Sequence, residues 1–423
     1  MKVLVIGGGG REHAIIRALK KSSRIRQLYA APGNGGIRRD AQCAPIKATD
    51  IPAMTEFVMQ NAIDYVVVAP DDPLAIGMVD ALQERGVRCF GPNKAAARIE
   101  SSKVFAKDLM KKYGIPTAAY EKFSDADKAE SYVKSNSVSF PLVIKADGLA
   151  FGKGVIIAAG IDGALGAIDS IMREKKFGES GLSIVIEEFL TGPEVSVLAF
   201  TDGKTIAPMV SSMDHKRAFD NNEGSNTGGM GVIAPNPHYT DEIAAVCEKT
   251  IFLPTIRAME EEGCPFKGCL YFGLMLTPRG PVVIEYNCRF GDPETQAVLP
   301  LLETDLLEIM EAVTDGKLAD INIRWKSAHA ACVVLASGGY PSSYKTGFKI
   351  SGLDENGNAK DGNAAIYHAG TEYKDGSFFT AGGRVLGVTA TAPMLDAALD
   401  AAYKTAGTIS FEGVHYRKDI GRY

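Results

Sequence analysis

The sequence predicts a three-part fold of mixed class: an N-terminal parallel α/β domain, a central domain, and a small C-terminal α+β domain. Three observations predict it. The first hundred residues alternate continuous apolar runs with helical stretches, the pattern of a parallel sheet covered on both faces. The middle carries two β-branched strands around a glycine- and lysine-rich loop, then a strand that ends in a charged cluster. After Trp325 the chain turns to short strands, glycine turns and one late helix. At 423 residues the chain exceeds a single core, and roughly 150 residues per domain gives about three. The expected divisions are 1–101, 102–325 and 326–423.

Composition excludes several classes. Apolar content of 46% and charged content of 23% are those of an ordinary soluble protein. A net charge of -5 argues against a nucleic-acid coat or a binder of anionic membranes. Seven scattered cysteines without a C-x-x-C pair suit reduced thiols in the cytoplasm. Cys288 reads as a small buried hydrophobe. The first apolar run, Val3 to Ile6, is too short for a signal-peptide core, and no stretch approaches a membrane span. Nothing indicates an oligomeric partner.

In order, Val3–Ile6 is a buried strand, Gly7–Gly10 a turn and Glu12–Lys20 a helix. Tyr65–Ala69 is a second strand, followed by a helix over about Leu74–Arg85 with Gly86 as its stop. The glycine turn departs from the dinucleotide fingerprint: Glu12 holds the third glycine position, and Ala14 to Arg39 contain no Asp or Glu for a ribose. Both departures disfavour an NAD site. A helix N-terminus still suits a phosphate, so Gly9, Gly10 and Arg11 are read as a seat for a phosphorylated small molecule. The plain alternative is a turn with no ligand. Asn34-Gly35-Gly36 is a further turn at this rim; Gly91-Pro92-Asn93-Lys94 is a turn entering a helical stretch, and Ser101-Ser102-Lys103 then starts the next helix.

Leu142–Ile144 and Val155–Ile157 flank a loop with three glycines, Gly148, Gly152 and Gly154, and Lys145 and Lys153 beside them. This is a hairpin with a flexible cationic tip. It is not a Walker A loop, because Gly148 and Gly152 enclose three residues and Gly154 replaces the hydroxyl. Such a loop over phosphates needs metal ligands from elsewhere; a plain surface hairpin is the alternative. Ile184–Leu190 reads as a strand whose end can meet an adenine edge, with Glu194 near a ribose, although strands ending in acids are common. Residues 211–231 form a long polar loop whose Asp214, Lys216 and Arg217 favour function. His215 reads as a surface histidine. A helix over Asp241–Glu262 is expected to kink or break at Pro254.

Cys269–Leu276 pairs with a strand over 282–287 across Thr277–Pro281, and a helix covers 304–314. In V-V-I-E-Y-N-C-R-F-G-D-P-E-T-Q, Glu285 and Asn287 share one face and Tyr286 takes the other. A carboxylate and an amide oxygen two apart can grip one hard cation. Arg289, two residues further on, reaches the same side if the strand holds that far, and the Gly291-Asp292-Pro293 turn brings in Glu294. The cluster suits Mg²⁺ and phosphate; a polar strand end is the alternative. The last domain, with a helix over about Met394–Ala406, shows no evident catalytic cluster.

Taken together, G-G-G-G-R-E-H, G-P-N-K, I-K-A-D-G-L-A-F-G-K-G, D-H-K-R-A-F-D, N-T-G-G-M-G, N-C-R-F-G-D-P-E-T-Q and G-G-R-V-L-G-V resemble the glycinamide ribonucleotide synthetases, or phosphoribosylamine–glycine ligases, of the ATP-grasp superfamily. The resemblance covers essentially the whole chain. It implies a pre-ATP-grasp domain, an ATP-grasp domain with a mobile lid over about 121–190, and a C-terminal domain. It implies that Lys103, Lys145 and Lys153 face the ATP phosphates, that Glu187, Glu188, Phe189 and Leu190 frame the adenine, and that Glu194 meets the ribose. It assigns Glu285 and Asn287 to Mg²⁺, with Mn²⁺ as the alternative. Gly9, Gly10, Arg11, Glu12, Asp214, Lys216, Arg289, Asp292, Pro293 and Glu294 then serve the substrates glycine and 5-phosphoribosylamine. Arg289, Lys153 and Asp214 are the expected catalytic residues. The strand Cys269–Leu276 lacks the acid that the wider superfamily often adds, so the metal shell leans on phosphate oxygens and water. The implied reaction is ATP-dependent ligation through glycyl phosphate, in purine biosynthesis. Another ATP-grasp ligase or carboxylase is the nearest rival.

Overall fold

The computed structural model describes residues 1–135, 138–149 and 154–422. Its first sheet is parallel throughout, in the order Gln42–Cys43, Gln27–Pro32, Lys2–Gly7, Tyr65–Val68, Arg88–Phe90. Val3 to Ile6 and Tyr65 to Val67 are buried on both faces, as expected of central parallel strands. The order reverses between Lys2–Gly7 and Tyr65–Val68, so the glycine turn after the first strand opens at the topological switch point. The expected helix over 74–85 is instead two, Asp71–Ile76 and Met78–Gln83. Gly77 parts them with φ of 98°, a left-handed conformation that ends the first helix.

Two antiparallel sheets form the centre. One orders Tyr120–Phe123, Ile184–Glu188, Leu142–Ala146 and Val155–Ala158. It packs on a core of its own that includes Ala129, Val133, Ile144, Ile168 and Ile186. The expected hairpin is present, with Leu142 opposite Ala158 and Lys145 opposite Val155; its tip, with Gly152 and Lys153, lies outside the described residues. The expected strand over 184–190 ends at Glu188, because Phe189 and Leu190 have left the ladder. The other sheet orders Ile206–Pro208, Glu194–Asp202, Lys267–Thr277 and Gly280–Asn287. The helix after it runs Leu306–Asp315, close to its expected bounds. Asp241–Cys247 and Leu253–Glu261 are joined without a break by a π turn over Glu248–Phe252, so Pro254 opens the last segment rather than breaking the helix.

The third sheet corrects the reading of 211–231 as a loop. Met213–Asp214 and Gly231–Ala234 pair with each other, and the second strand pairs with His329–Ala336. Arg384–Ala392 and Ala365–His368 complete the sheet, backed by the helix Leu395–Ala406. Arg217–Phe219 and Glu223–Asn226 form a small hairpin. The central portion therefore contributes strands to the C-terminal sheet. All seven cysteines are free, and among the described residues no helix is long and apolar enough to cross a membrane.

Candidate functional site

The strand Gly280–Asn287 carries the centre of the site. Its ladder slips by one residue: Leu274 faces Val283, while Gly273 faces Glu285. Ile284 is the extra residue, and its carbonyl accepts a hydrogen bond from Lys145 Nζ at 3.1 Å. Beyond the bulge the alternation holds. Tyr286 turns inward, where its hydroxyl meets Thr255 Oγ1 at 2.9 Å, and Glu285 and Asn287 take the opposite face. Burial alone would raise the Glu285 pKa, but Lys216, Lys145, Lys103 and Arg289 outweigh it and hold the carboxyl below its usual range. Glu285 shares a narrow cleft with Glu194, Ser196, Asp214, Lys216 and Tyr271.

Lys145 also reaches Glu187 Oε2 at 3.0 Å, and Lys107 Nζ lies 3.0 Å from the same oxygen. The Glu187 side chain is buried, with Oε2 committed to two lysines and Oε1 buried without a hydrogen-bond partner. Glu188 is drawn the other way: it accepts from Ala119 N–H at 3.0 Å and pairs with Arg279 at 2.9 Å. Phe189 is exposed and Leu190 half-buried. Lys103 opens the helix Lys103–Lys112, whose expected N-cap is Ser102. Its ammonium donates to Gly148 O at 2.9 Å, and Asp147 accepts the Val104 N–H, so the foot of the hairpin is tied to this helix.

Arg289 reaches the predicted side, but it is partly committed. Its Nη2 donates to Asn287 Oδ1 at 3.0 Å and lies 3.0 Å from Glu100 Oε1, while its Nε is buried without a hydrogen-bond partner. Asp292 Oδ1 accepts from Gln296 at 2.7 Å, and Asp292 Oδ2 lies 3.3 Å from Arg384. Arg384 also donates to the carbonyls of Asp292 and Gly228, at 2.7 and 2.8 Å. Gly229, at φ of 115°, threads between Asp214 and Pro293, where a Cβ would fall within 2.5 Å of both. Glu294 is buried and accepts from Ser196 Oγ at 3.3 Å. Lys216 Nζ lies 2.6 Å from Asp214 Oδ2. Burial raises the pKa of Asp214, and burial with Asp214 nearby raises that of Glu294.

The N-terminal turn differs from its prediction in one respect. Glu12 Oε2 accepts the Gly9 N–H at 2.5 Å, so one backbone donor expected for a phosphate is already capped. Arg11 is buried, with Nε 2.6 Å from Glu12 Oε1 and Nη1 donating to Phe290 O at 3.2 Å. The turn is thereby joined to the Asp292 loop. His215 is no surface residue: it is buried, its Nε2 accepts Gly421 N–H at 3.0 Å, and burial pushes its pKa down to about 4.

Glu100, Lys107 and Arg384 are absent from the sequence-based set. Glu100 and Lys107 read as helix-surface charges until the fold buries them, and Arg384 lies in the C-terminal domain. Its place within G-G-R-V-L-G-V is the one signal that points to it.

For a divalent cation, Glu285 and Asn287 supply two oxygen donors on one face, and the lowered pKa of Glu285 keeps it ionised. Among the described residues no group of three His, Cys, Asp or Glu forms a self-sufficient metal cage. The pair fits a cation that completes its shell with phosphate oxygens and water.

Three family models match the chain: "Phosphoribosylglycinamide synthetase, N domain" over 1–100, "Phosphoribosylglycinamide synthetase, ATP-grasp (A) domain" over 101–295, and "Phosphoribosylglycinamide synthetase, C domain" over 330–423. The chain is 48% identical to a phosphoribosylamine–glycine ligase of Caldanaerobacter subterraneus, with 99% of each covered. It is 47% identical to the trifunctional purine biosynthetic protein adenosine-3 of Gallus gallus, covering 99% of this chain and 42% of that one. The crystal structure of a phosphoribosylamine–glycine ligase from Thermotoga maritima superposes with a TM-score of 0.86 at 34% identity, covering 99% of this chain and 100% of that one. A biotin carboxylase from Campylobacter jejuni shares the fold, with a TM-score of 0.76 at 14% identity over 98% of this chain and 92% of that one.

Proposed function

The chain belongs to the phosphoribosylglycinamide synthetase family, and we propose that it ligates glycine to 5-phosphoribosylamine while ATP becomes ADP and phosphate. The observation that carries this reading is the convergence on one strand end of Glu285, Asn287 and Arg289 with Lys145 and Lys103, inside a family match spanning all three domains. ATP would lie between the two central sheets, its phosphates met by Lys103, Lys145 and Lys153. Glu187 would act on the nucleotide through Lys145, which it holds, while Phe189 and Leu190 frame the base and Glu194 the ribose. Glu285 and Asn287 would hold Mg²⁺ or Mn²⁺, which when bound neutralises phosphate charge and aligns the transferring group.

The chemistry follows from the reactants. A carboxylate does not acylate an amine in water, because its oxygen is a poor leaving group. A glycine carboxylate oxygen attacks the γ-phosphorus and ADP leaves, giving glycyl phosphate. The amine of 5-phosphoribosylamine then attacks the glycyl carbon, and phosphate departs with the former carboxylate oxygen. Arg289 would orient the glycine carboxylate through its paired N–H groups. Asp214, its pKa raised by burial, would take the proton the amine loses. Gly9, Gly10, Arg11 and Glu12, with Asp292, Pro293, Glu294 and Lys216, would line the phosphoribosylamine side. Arg384 would fix the Asp292 loop from the C-terminal domain. The domains would run 1–101, 102–325 and 326–423, each contributing to the one site, and the enzyme would be cytoplasmic.

The test is an isotope transfer. Glycine whose carboxylate carries heavy oxygen should pass one labelled oxygen to the released phosphate. Unlabelled phosphate from productive turnover would reject the acyl phosphate.

A further inference from the structure

A second cavity, of about 610 Å³, opens on the far half of the helix Gly10–Leu19 and is closed by segments near Pro300, Lys326 and Asn358. The reaction cleft lies toward the other end of that helix, at Gly9 to Glu12. Five cations line the cavity, Arg17, Lys20, Lys21, Arg39 and Lys326, against one carboxylate, Asp40. The protein as a whole carries a net charge of -5, so this surplus is local and opposite in sign. Asp40 is already shared by three partners: His13 at 3.0 Å, Arg17 at 3.0 Å and Lys20 at 2.7 Å. Among the described residues no carboxylate pairs with Lys21, Arg39 or Lys326. Arg39 rests over the Tyr373 ring at 4.3 Å, and Lys326 is anchored on the Pro300 carbonyl at 2.9 Å. Partial desolvation of its stem and then the approach of Lys326 depress the pKa of Lys21, although the residue is exposed overall.

Chain segments three hundred residues apart thus bring Lys21 and Lys326 to one cavity, where among the described residues neither pairs with a carboxylate, and gathering like charge in this way carries an electrostatic cost. A multiply charged anion relieves that cost. The volume falls within the range of small-molecule sites, and Asn356, Asn358 and Thr391 add polar groups beside the charges. We propose that this cavity is a binding site for a small phosphorylated metabolite carrying at least two negative charges, separate from the reaction cleft. Its occupant would bear on the helix that presents Gly9 and Glu12 to the cleft, and so has a rigid route to the turn there.

Calorimetric titration with inorganic pyrophosphate tests this, using the full-length protein free of nucleotide. Three forms are compared: the wild type, the double variant Lys21→Glu with Lys326→Glu, and the cleft variant Lys103→Gln. Both lysines of the double variant are exposed, so it should stay folded and keep a cooperative thermal melt. The cavity predicts saturable binding by the wild type and by Lys103→Gln, and at least about tenfold weaker binding by the double variant, one charge-assisted contact or more. Added salt should weaken it in the first two. No saturable binding by the wild type overturns the proposal. So does binding lost in Lys103→Gln and kept in the double variant, because the probe then sits in the cleft.

Discussion

Glu187→Gln is the perturbation that the buried charges make most informative. The substitution preserves the size of the side chain and one acceptor oxygen, and deletes the single negative charge. In the wild type, Lys107 and Lys145 both lie 3.0 Å from Glu187 Oε2, and all three side chains are at most 5% exposed. The variant would leave two buried ammonium groups with no acid between them. Breaking a buried pair by removing one partner costs about 3–5 kcal/mol, and here two cations lose the same partner. One relief is available, because burial already pushes Lys107 down to about 8. Losing Glu187, the main group that raises it, lowers it further. The unfolded lysine titrates near 10.5, so between the two values the unfolded state binds more protons and stability rises with pH. The variant should therefore be much less stable than wild type at pH 7, and part of the deficit should disappear by about pH 9. Denaturant melts of both proteins at the two pH values measure this. Equal stability at pH 7, or a deficit that does not shrink with pH, would refute the shared-acid arrangement. With ATP varied, the variant should also show a raised KM, because Lys145 loses its charged anchor and keeps only the Ile284 carbonyl.

Glu285→Gln should cut turnover by at least about tenfold and shift its Mg²⁺ dependence; unchanged values for both would remove Glu285 from the metal site. Arg289→Lys keeps the charge but loses the fork, so the glycine KM should rise and kcat fall while the ATP KM changes little. A normal glycine KM with a lowered melting temperature would make Arg289 only a strut for Glu100. His13 and His215 are pushed down to about 4 and His368 to about 3, all chiefly by burial. Their unfolded forms take up protons first as pH falls below 6.5, so stability should drop between pH 6.5 and 4 with a slope of more than one proton; a flat profile there contradicts their burial.

The parallel sheet is legible because Val3–Ile6 and Tyr65–Val68 are continuous apolar runs that only a doubly covered sheet can bury. The strand that carries Glu285 and Asn287 is legible for a related reason: its alternation survives the bulge at Ile284, which slips the register before the two donors rather than between them. Residues 211–231 read as loop because the sheet they join is completed by His329–Ala336, about a hundred residues on, and no local pattern announces it. Lys107 and Glu100 escape for a similar reason. Each is a charged residue on a helix, the commonest sign of a solvated face, and only the approach of Glu187 and Arg289 from other elements buries them. The capped Gly9 N–H follows from Glu12, three residues on, which fits a capping box as well as it fails a dinucleotide fingerprint.

The most direct measurement is phosphate release from ATP with glycine and 5-phosphoribosylamine supplied separately and together. Sustained release should occur only with both present, matched one to one by ADP and by the ligated product. Release that proceeds equally without 5-phosphoribosylamine, or that requires bicarbonate in place of glycine, would contradict it.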